Sequence, residues 1–436
     1  MTTAKRGLIL GATTVAVATV TVTGAGIHLS QSKAFFQASP KELIDEVWQL
    51  INRNYVDATF NQVDWVTVRS DYLGRNYSSQ EDAYAAIREM LEKLEDPYTR
   101  FMDPQEFANM QVDTSGELTG VGIQISQDEE TKEIIVVAPI EDTPAFEAGI
   151  RPKDVILKID GESTTGMELS DAVNKIRGTV GSQVTLLIRR GDQQLEVPIT
   201  RARIEIHPVR YSSKPGPAGP VGYIRLTQFS ANAADEMGEA IRALEGEKVT
   251  GYILDLRSNP GGLLYSSIDI ARMWLDGGTI VSTVNRQGVV DEESANHGAL
   301  TNKPLVVLVD GGSASASEIL SGALQDNNRA VLVGTRTFGK GLVQSVRSLA
   351  DGSGVAVTVA KYLTPSGRDI NKHGIDPDIQ VELTEDQREF LADDRDRIGT
   401  SEDPQYAEAL TTLSSEIEKA RTGHNLTSTG ARDSQP

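Results

Sequence analysis

The sequence from Pro304 to Gln344 reads PLVVLVDGGSASASEILSGALQDNNRAVLVGTRTFGKGLVQ and contains the strand, turn and helix signals on which the fold prediction depends. Its first apolar run, Leu305 to Val309, is typical of a buried strand, and the Asp-Gly-Gly that follows is a turn signal. Three alternate serines then lead into a helical pattern. A second apolar run, Ala330 to Val333, ends in a glycine-rich loop that carries Lys340. The stretch therefore predicts two strand ends, one presenting serines and the other a single lysine.

A serine hydroxyl and a lysine amine at neighbouring strand ends indicate nucleophilic catalysis. A serine is a weak nucleophile until a base removes its proton. A lysine can be that base when burial disfavours its charged form and lowers its pKa. The neighbours of Lys340 are glycine and apolar residues without a carboxylate, and Gln344 would lie on the same face of an extended strand. A neutral amide there would orient the lysine without adding charge.

Two other interpretations of these residues stay open. Alternate serines before a helix are also typical of an ordinary cap, and a lysine on a loop is usually solvated. Gly334 to Lys340 also fits the pattern G-x-x-x-x-G-K, which would indicate a nucleotide-binding protein. However, Gly341 stands where that pattern has Ser or Thr, and the residues after it favour a strand over a helix.

Two motifs in this stretch, Gly312-Ser-Ala-Ser-Ala-Ser-Glu318 and Thr337-Phe-Gly-Lys-Gly-Leu-Val-Gln344, resemble those of the carboxyl-terminal processing (tail-specific) serine proteases. The resemblance extends from about Pro40 to Phe390 and is strongest to the cyanobacterial and chloroplast members. It implies that Ser315 is the nucleophile, Lys340 the general base and Gln344 the support of that base.

The same resemblance implies an oxyanion hole. It places one backbone N–H donor at Gly261, in the turn Asn259-Pro-Gly-Gly262, and the other at Ala316, directly after the nucleophile. Glycine amides can approach a substrate closely because no side chain intervenes. A plain turn between a strand and a helix would have the same sequence, so this assignment depends on the Ser-Lys motif.

A run of short strands from about Ser115 to Arg201 resembles a PDZ domain. Such domains bind a peptide by strand addition and receive its terminal carboxylate in a glycine-rich turn. The resemblance implies a peptide site made by that turn and by two aliphatic side chains of a helix: Leu118, Thr119, Gly120, Val121, Gly122, Leu169 and Val173. These glycines and aliphatics would also suit a bulge and a packed core.

The fold expected is a multidomain α/β protein. Strands alternate with helices after about residue 207, which indicates an α/β core, and the resemblance implies one of the crotonase or Clp-protease type. We predict a signal peptide over residues 1–34, a helical region over 35–112, an inserted PDZ domain over 113–202, a catalytic domain over 203–395 and a polar C-terminal tail over 396–436. Within that tail, residues 406–420 are predicted to form a helix.

The N-terminus predicts export. Lys5-Arg6 precede an uncharged stretch, Gly7 to Ile27, and small residues around Ala34 offer a cleavage point, as in a secretory signal. The uncharged stretch is also long enough for an uncleaved anchor, which would be the chain's membrane contact. The destination expected is the periplasm or the thylakoid lumen.

The composition argues against several classes of function. The chain has 42 basic and 62 acidic residues and a net charge of −20, so nucleic acid is not an expected partner. It has no cysteine, which removes disulfides, cysteine-zinc sites and thiol catalysis. The five histidines form no metal-binding motif, and neither a metal nor a cofactor is expected. His297 and His373 leave a Ser-His-Asp triad as an open alternative that would not use Lys340.

Together these features predict an exported serine endopeptidase. It would bind the C-terminal tails of exported or lumenal proteins through the PDZ domain and cut them near the C-terminus by a Ser-Lys mechanism. The alternative is a noncatalytic PDZ scaffold on a protease fold, which would bind tails without cleaving them. The oligomeric state is not predicted.

Overall fold

The structure is a computed structural model that describes residues 39–128, 131–140, 142–288 and 290–429. The predicted signal peptide, residues 1–34, lies outside these residues. Within them, no helix combines the length and the apolar character that a membrane span requires.

The N-terminal region is mainly helical. Its elements are α1 (Pro40–Asn54), α2 (Trp65–Gly74), α3 (Gln80–Glu92), β1 (Arg100–Met102) and α4 (Pro104–Ser115). Helix α1 begins at a capping box, in which the Ser39 hydroxyl and the Glu42 carboxylate each accept a backbone N–H of the first turn. Its apolar residues recur every three or four positions and form one buried face: Leu43, Ile44, Val47, Trp48 and Ile51.

An antiparallel sheet follows in the region predicted to be a PDZ domain. The elements are β2 (Glu117–Gly120), β3 (Ile123–Gln127), β4 (Ile134–Pro139), α5 (Pro144–Glu147), β5 (Val155–Ile159), β6 (Glu162–Ser163), α6 (Leu169–Ile176), β7 (Gln183–Arg190), β8 (Gln193–Thr200) and β9 (Ala202–Glu205). The strand order is β3-β4-β5-β7-β8, with β6 paired to β5. Strands β2 and β9 pair with each other, so the chain enters and leaves this region side by side, as an inserted domain does.

The remaining chain contains the α/β core. Its elements are β10 (Val209–Lys214), β11 (Val221–Leu226), α7 (Ala233–Gly246), β12 (Gly251–Asp255), α8 (Leu264–Trp274), β13 (Thr279–Asn285), β14 (Val290–Ser294), β15 (Leu305–Val309), α9 (Ala316–Asp326), β16 (Val331–Gly334), β17 (Leu342–Ser348), β18 (Gly354–Leu363), β19 (Ile379–Gln380), α10 (Glu385–Asp393), a 3₁₀ turn (Arg395–Arg397) and α11 (Pro404–Thr429).

A six-stranded sheet forms the centre of this core, in the order β10-β11-β12-β15-β16-β19. Strand β10 is antiparallel to β11, and the other neighbours are parallel. Helices α7, α8 and α9 contribute to the core on one face, and α11 to the core on the other. Coverage of both faces explains why β15 is a continuous apolar run, buried at every residue. The structure confirms the predicted mixed α/β class.

A second sheet connects the core to the N-terminal helices. It has the order β1-β18-β13-β14, and β17 pairs with β18. Phe101 of β1 and Val355 and Val357 of β18 are buried in one cluster with the apolar faces of α1, α2 and α3. The helical region therefore shares its core with the sheet that continues from the lysine loop.

The C-terminal segment is part of the packed structure. Residues 396–436 were predicted to be a polar tail with a helix over 406–420, but α11 begins at Pro404 and runs to Thr429. Its buried apolar side chains lie against the central sheet: Tyr406, Ala409, Leu413 and Ile417. The four are spaced by three and four residues, so they form a narrow stripe on an otherwise polar helix.

Candidate active site

Ser315 lies in the turn between the end of β15 and the start of α9. Its backbone has a φ of 55° and a ψ of −111°, a conformation that non-glycine residues rarely adopt. Strained backbone of this kind concentrates at functional sites. The Tyr362 hydroxyl donates to the Ser315 carbonyl at 3.2 Å, which fixes the turn from the side of β18.

The two serines that flank Ser315 have structural roles. The Ser313 hydroxyl donates to the Leu256 carbonyl at 2.8 Å, and the Ser317 hydroxyl donates to the Asn259 carbonyl at 2.8 Å. Both serines are buried, whereas Ser315 is half-buried. The structure thus distinguishes the middle serine from its neighbours, which attach the turn to the loop after β12.

Glu318 connects the serine turn to the lysine loop. Its carboxylate is fully buried and accepts four hydrogen bonds, from Ser315 N at 2.9 Å, Thr337 Oγ1 at 2.6 Å, Gly339 N at 2.7 Å and Lys340 N at 2.9 Å. The Ser315 and Lys340 nitrogens share one oxygen, Oε2, so the two backbones are held side by side. Sequence reasoning gave Glu318 no role, although a glutamate three residues after a serine at a helix start is a capping-box signal.

The Lys340 side chain is half-buried beside a turn of the N-terminal region. Its Nζ lies 4.8 Å from the centre of the Tyr98 ring. Burial lowers the pKa of the Lys340 ammonium, and the positive charge of Arg100 lowers it further, against the opposing effects of Asp96 and Glu318. Within the described part of the chain, no hydrogen bond joins this ammonium to Ser315 or to Gln344. Sequence reasoning assigned no role to the 96–101 segment and missed its contribution to the site.

Gln344 contacts Thr358 of β18 rather than Lys340, and Thr358 connects it to the same turn. Its Nε2 lies 3.4 Å from Thr358 Oγ1, and Thr358 in turn contacts the Thr99 hydroxyl at 3.2 Å. The Thr99 hydroxyl also donates to Asp96 at 2.7 Å. A register shift between Val343 and Gln344 in the pairing of β17 with β18 accompanies this placement. The alternation of a regular strand, on which the prediction depended, does not hold at this point.

The two proposed oxyanion donors are brought together. A Cβ placed on Gly261 would lie 2.9 Å from Ala316 N and 3.0 Å from Ser315 Cβ, so only glycine fits at this contact. The φ of Gly261 is 100°, which also favours glycine. The Gly261 N–H donates to Asn259 Oδ1 at 2.9 Å in this structure, and Ala316 N belongs to the first turn of α9. N–H groups of a first helical turn have no partner within the helix.

The predicted peptide-binding residues fall into two groups. In the turn, the backbone from Leu118 to Gly120 pairs with β9, and the Val121 side chain is buried in the core of the region. The Gly122 carbonyl accepts the Ile140 N–H at 2.8 Å. Beyond the turn, β3 is an edge strand of its sheet, and Leu169 and Val173 of α6 are half-buried. The edge of β3 and the helix thus border the place where strand addition would occur.

The alternatives from the sequence fit the structure less well. The loop that ends at Lys340 is followed by strand β17, whereas a phosphate-binding loop opens a helix. Among the histidines whose side chains the structure describes, His207 contacts Glu236, His297 contacts Asp276 and His373 contacts the Asn371 carbonyl. None of these three donates to or accepts from Ser315. The described residues also contain no group of three or more acidic or histidine side chains suited to a metal ion.

Comparison with known proteins identifies two regions. Residues 220–381 match peptidase family S41, and residues 135–190 match a PDZ domain. The carboxyl-terminal-processing protease of Synechocystis is 49% identical over 365 residues, covering 82% of this chain and 85% of that protein. The chloroplastic carboxyl-terminal-processing peptidase 3 of Arabidopsis thaliana is 41% identical, covering 77% of this chain and 67% of that protein.

A solved structure, that of a photosystem II D1 C-terminal processing protease, is also similar. It is 40% identical, with a TM-score of 0.54, and the match covers 79% of this chain and 94% of that one.

Proposed function

The chain belongs to the carboxyl-terminal processing proteases of peptidase family S41 and contains a PDZ domain, and from this premise we propose that it is an exported endopeptidase with a Ser-Lys mechanism. Ser315 is the nucleophile and Lys340 the general base. The observation that carries the proposal is the shared Glu318 carboxylate, which holds the Ser315 and Lys340 backbones against one oxygen.

The reaction proceeds through an acyl-enzyme. Neutral Lys340 accepts the proton of the Ser315 hydroxyl as its oxygen attacks the scissile carbonyl carbon, and a tetrahedral oxyanion forms. The protonated amine then gives this proton to the leaving nitrogen, and the C–N bond breaks. Lys340 next accepts a proton from water as the water oxygen attacks the ester carbon. It then returns this proton to the Ser315 oxygen as the C–O ester bond breaks, which releases the new carboxyl group and restores the Ser315 hydroxyl and neutral Lys340.

The surroundings of Lys340 support its role as a base. A lysine in water is almost entirely protonated at neutral pH, so a base of this type needs an environment that disfavours its charge. Burial is the main cause of the lowered pKa here, with Arg100 as the second. The contact with Tyr98 is the resting position of the ammonium. Rotation about its side-chain bonds would bring Nζ toward Ser315, since the two backbones are already adjacent.

The Gly261 and Ala316 N–H groups would stabilise the oxyanion. Two backbone donors aimed at the developing negative charge are the usual arrangement in acyl transfer. The close approach of Gly261 to Ala316 supports a shared acceptor position. The Gly261 N–H would then exchange its present acceptor, Asn259 Oδ1, for the substrate oxygen.

The PDZ domain would capture the C-terminal tail of the substrate. We propose that the tail pairs with the edge of β3 and places its last side chain against Leu169 and Val173, which fits their half-buried positions on α6. The turn Leu118 to Gly122 would receive the carboxylate. Substrates would be exported or lumenal proteins with apolar C-termini.

We further propose the domain boundaries. Residues 1–34 would be removed on export to the periplasm or thylakoid lumen, 35–112 would form the helical region, 113–202 the PDZ domain and 203–395 the catalytic domain. Of the segment 396–436, helix α11 (Pro404–Thr429) would belong to the catalytic domain, because its buried apolar stripe covers the central sheet.

Cleavage of an unfolded reporter with an apolar C-terminus tests the catalytic proposal. The mature chain should cut the reporter, and Ser315→Ala should lower the rate at least about 1,000-fold while circular dichroism and thermal unfolding stay unchanged. Binding of the reporter to the chain without any cleavage would favour the scaffold instead.

Tail recognition is tested separately by Leu169→Asp. A carboxylate in the apolar pocket should raise KM for the tailed reporter about tenfold and leave kcat unchanged. Ser170→Asp places the same charge on an exposed position of the same helix and should change neither constant. Equal KM values for free-acid and amidated reporters in the wild type would contradict carboxylate recognition.

A further inference from the structure

A buried cluster of charges joins the end of β12 to the start of α11. The Arg257 guanidinium lies between two carboxylates, with NH2 2.6 Å from Asp255 Oδ2 and 2.7 Å from Asp403 Oδ2. Its NH1 also donates to Asp403 Oδ1 and to Gln405 Oε1, each at 3.0 Å. Arg257 is only 7% exposed, and both aspartates are completely buried.

On the α11 side, Asp403 is the residue that organises the helix start. It accepts backbone N–H groups from Gly399 at 3.0 Å, Gln405 at 3.1 Å and Tyr406 at 3.2 Å. The Tyr406 ring meets the Tyr223 ring edge-on at 5.5 Å, and the Tyr223 hydroxyl donates to Asp255 at 2.7 Å. The cluster is therefore a closed ring of contacts between α11 and the central sheet.

On the sheet side, Arg257 stands two residues before Asn259, whose side-chain oxygen and backbone carbonyl both accept hydrogen bonds near the reaction centre. Asn259 Oδ1 accepts the Gly261 N–H at 2.9 Å. Its carbonyl accepts Ala314 N at 3.0 Å and the Ser317 hydroxyl at 2.8 Å, so it holds the serine turn on both sides of Ser315. A single residue, Ser258, separates Arg257 from these contacts.

Within this cluster, the opposite charges offset the cost of burying each other. Burial alone would raise the pKa of Asp255, yet Arg257 outweighs it and holds that pKa below its usual value. Burial would likewise lower the pKa of Arg257, but its carboxylate partners raise it well above the ordinary value. Ion pairs of this kind are no more stable than well-packed apolar residues, but they demand a defined geometry.

We propose that Asp403 is a positioning residue for catalysis: through Arg257 it sets the place of Asn259, and hence of the Gly261 oxyanion donor and the Ser315 turn. The segment from Gly399 to Tyr406 would then belong to the catalytic apparatus. This inference rests on the proposed Ser-Lys function and adds the C-terminal segment to it.

The test compares Asp403→Asn with Leu413→Ala in the full mature chain. Leu413 is completely buried on the same helix against the same sheet but is not one of the partners of Arg257, so its truncation loosens the packing of α11 without removing the ion pair. Asp403→Asn should lower kcat about 10- to 100-fold with KM within about twofold, since small displacements of catalytic groups have effects of this size. Leu413→Ala should lower Tm and leave kcat within about twofold.

A tetrahedral probe separates positioning from general loosening. A peptide boronate bound to Ser315 carries an oxygen in the oxyanion position, so its affinity should fall in Asp403→Asn by about the same factor as kcat/KM. Gln405→Leu, which removes one acceptor of Arg257 and keeps both carboxylates, should give a smaller change in the same direction and serves if Asp403→Asn does not fold.

Three results would overturn the inference: an unchanged kcat in a folded Asp403→Asn or Gln405→Leu protein, an unchanged boronate affinity, or an equal loss of kcat in Leu413→Ala. Failure of the wild type to cleave would instead refute the proposed function itself.

Discussion

Around Ser315, the proposed nucleophile, hydrogen bonds hold the turn at several points, whereas at Lys340, the proposed base, only the backbone is held. Ser313 and Ser317 bond to the loop after β12, and Ser315 N bonds to Glu318. The Lys340 N–H uses the same carboxylate, but its ammonium contacts the Tyr98 ring and makes no hydrogen bond within the described residues.

This difference suits the two tasks. A nucleophile has to be placed accurately, so its turn is rigid. A base has to change its protonation state and move a proton twice, and fixed acceptors around the ammonium would stabilise the charged form and raise its pKa. The fold thus fixes the backbones of Ser315 and Lys340, and only the Lys340 side chain has to move before reaction.

Lys340→Met removes the base and is the most severe test of this comparison. The expected loss in kcat/KM is at least about 1,000-fold, because no other described group is placed to take the Ser315 proton. Steady-state cleavage of the reporter measures it. Lys361→Met removes an exposed lysine from the neighbouring strand β18 and should have no effect. Cleavage by Lys340→Met at the wild-type rate would exclude the Ser-Lys mechanism.

Glu318→Gln breaks the link between the two sides. The amide nitrogen of the new side chain cannot accept the hydrogen bonds that one of the Glu318 oxygens now accepts. We therefore expect kcat to fall about 100-fold and the free energy of unfolding to fall by about 2–3 kcal/mol. Urea unfolding and cleavage assays measure the two effects.

The matched control for Glu318→Gln is Asp326→Asn. Asp326 lies at the end of the same helix, is nearly buried and accepts from Ser366 N, the Ser366 hydroxyl and Arg368. The Asp326→Asn variant should therefore have a lower free energy of unfolding and an unchanged kcat. If both variants lost activity equally, Glu318 would act through α9 as a whole and not through the two loops.

The pH dependence probes the base side alone. Since neutral Lys340 is the active form in the proposed mechanism, kcat/KM should rise tenfold per pH unit below the pKa of this lysine and level off above it. The groups facing the ammonium are Tyr98, Asp96, Arg100 and Glu318. Arg100→Met removes a positive charge that lowers the pKa of Lys340, so the rising part of the kcat/KM profile should move to higher pH. A rising part that stayed in place or moved to lower pH would contradict the electrostatic role of Arg100.

The same lysine makes a linked prediction for stability. Its pKa is lower in the folded chain than in the unfolded one, so between the two values the unfolded state binds more protons. The contribution of Lys340 to stability therefore increases as the pH rises through that window. Lys340→Met should remove this pH-dependent part, which thermal unfolding from neutral to alkaline pH would show.

Gln344→Met is expected to have the smallest effect. Because the amide contacts Thr358 at 3.4 Å and not Lys340, kcat should change less than about fivefold, and Thr358→Val should behave alike. A loss of 100-fold or more in Gln344→Met alone would mean that Gln344 contacts Lys340 during turnover, as the resemblance implies.

The sequence predicts those features that depend on local patterns. The family and the mixed α/β class are confirmed. They could be predicted because the apolar runs, the glycine turns and the serine and lysine motifs are each contiguous in the chain. The roles of Ser315, Lys340 and the peptide-binding residues stay predictions, now with positions that support them. The strain at Ser315 was not foreseen, since nothing in its neighbours requires a positive φ.

Features that depend on distant partners were missed for a physical reason. The Tyr98 contact with Lys340 and the Asp403 contact with Arg257 join residues far apart in the chain, and no periodicity encodes such pairs. Among the described side chains of α11, four apolar ones are buried, and the sequence around them is mainly polar. Such a pattern predicts a polar tail unless the sheet that the helix covers is known.

The sharing of one site among distant parts of the chain has a consequence for protein synthesis. Tyr98 comes early in the chain, while Asp403 comes near its end, and a ribosome delivers them in that order. A growing chain that already contains Ser315 and Lys340 would still lack Asp403, whose contact with Arg257 we propose to position the Asn259 turn. If Asp403 positions this turn as proposed, the chain would reach its full activity only once its translation is almost complete.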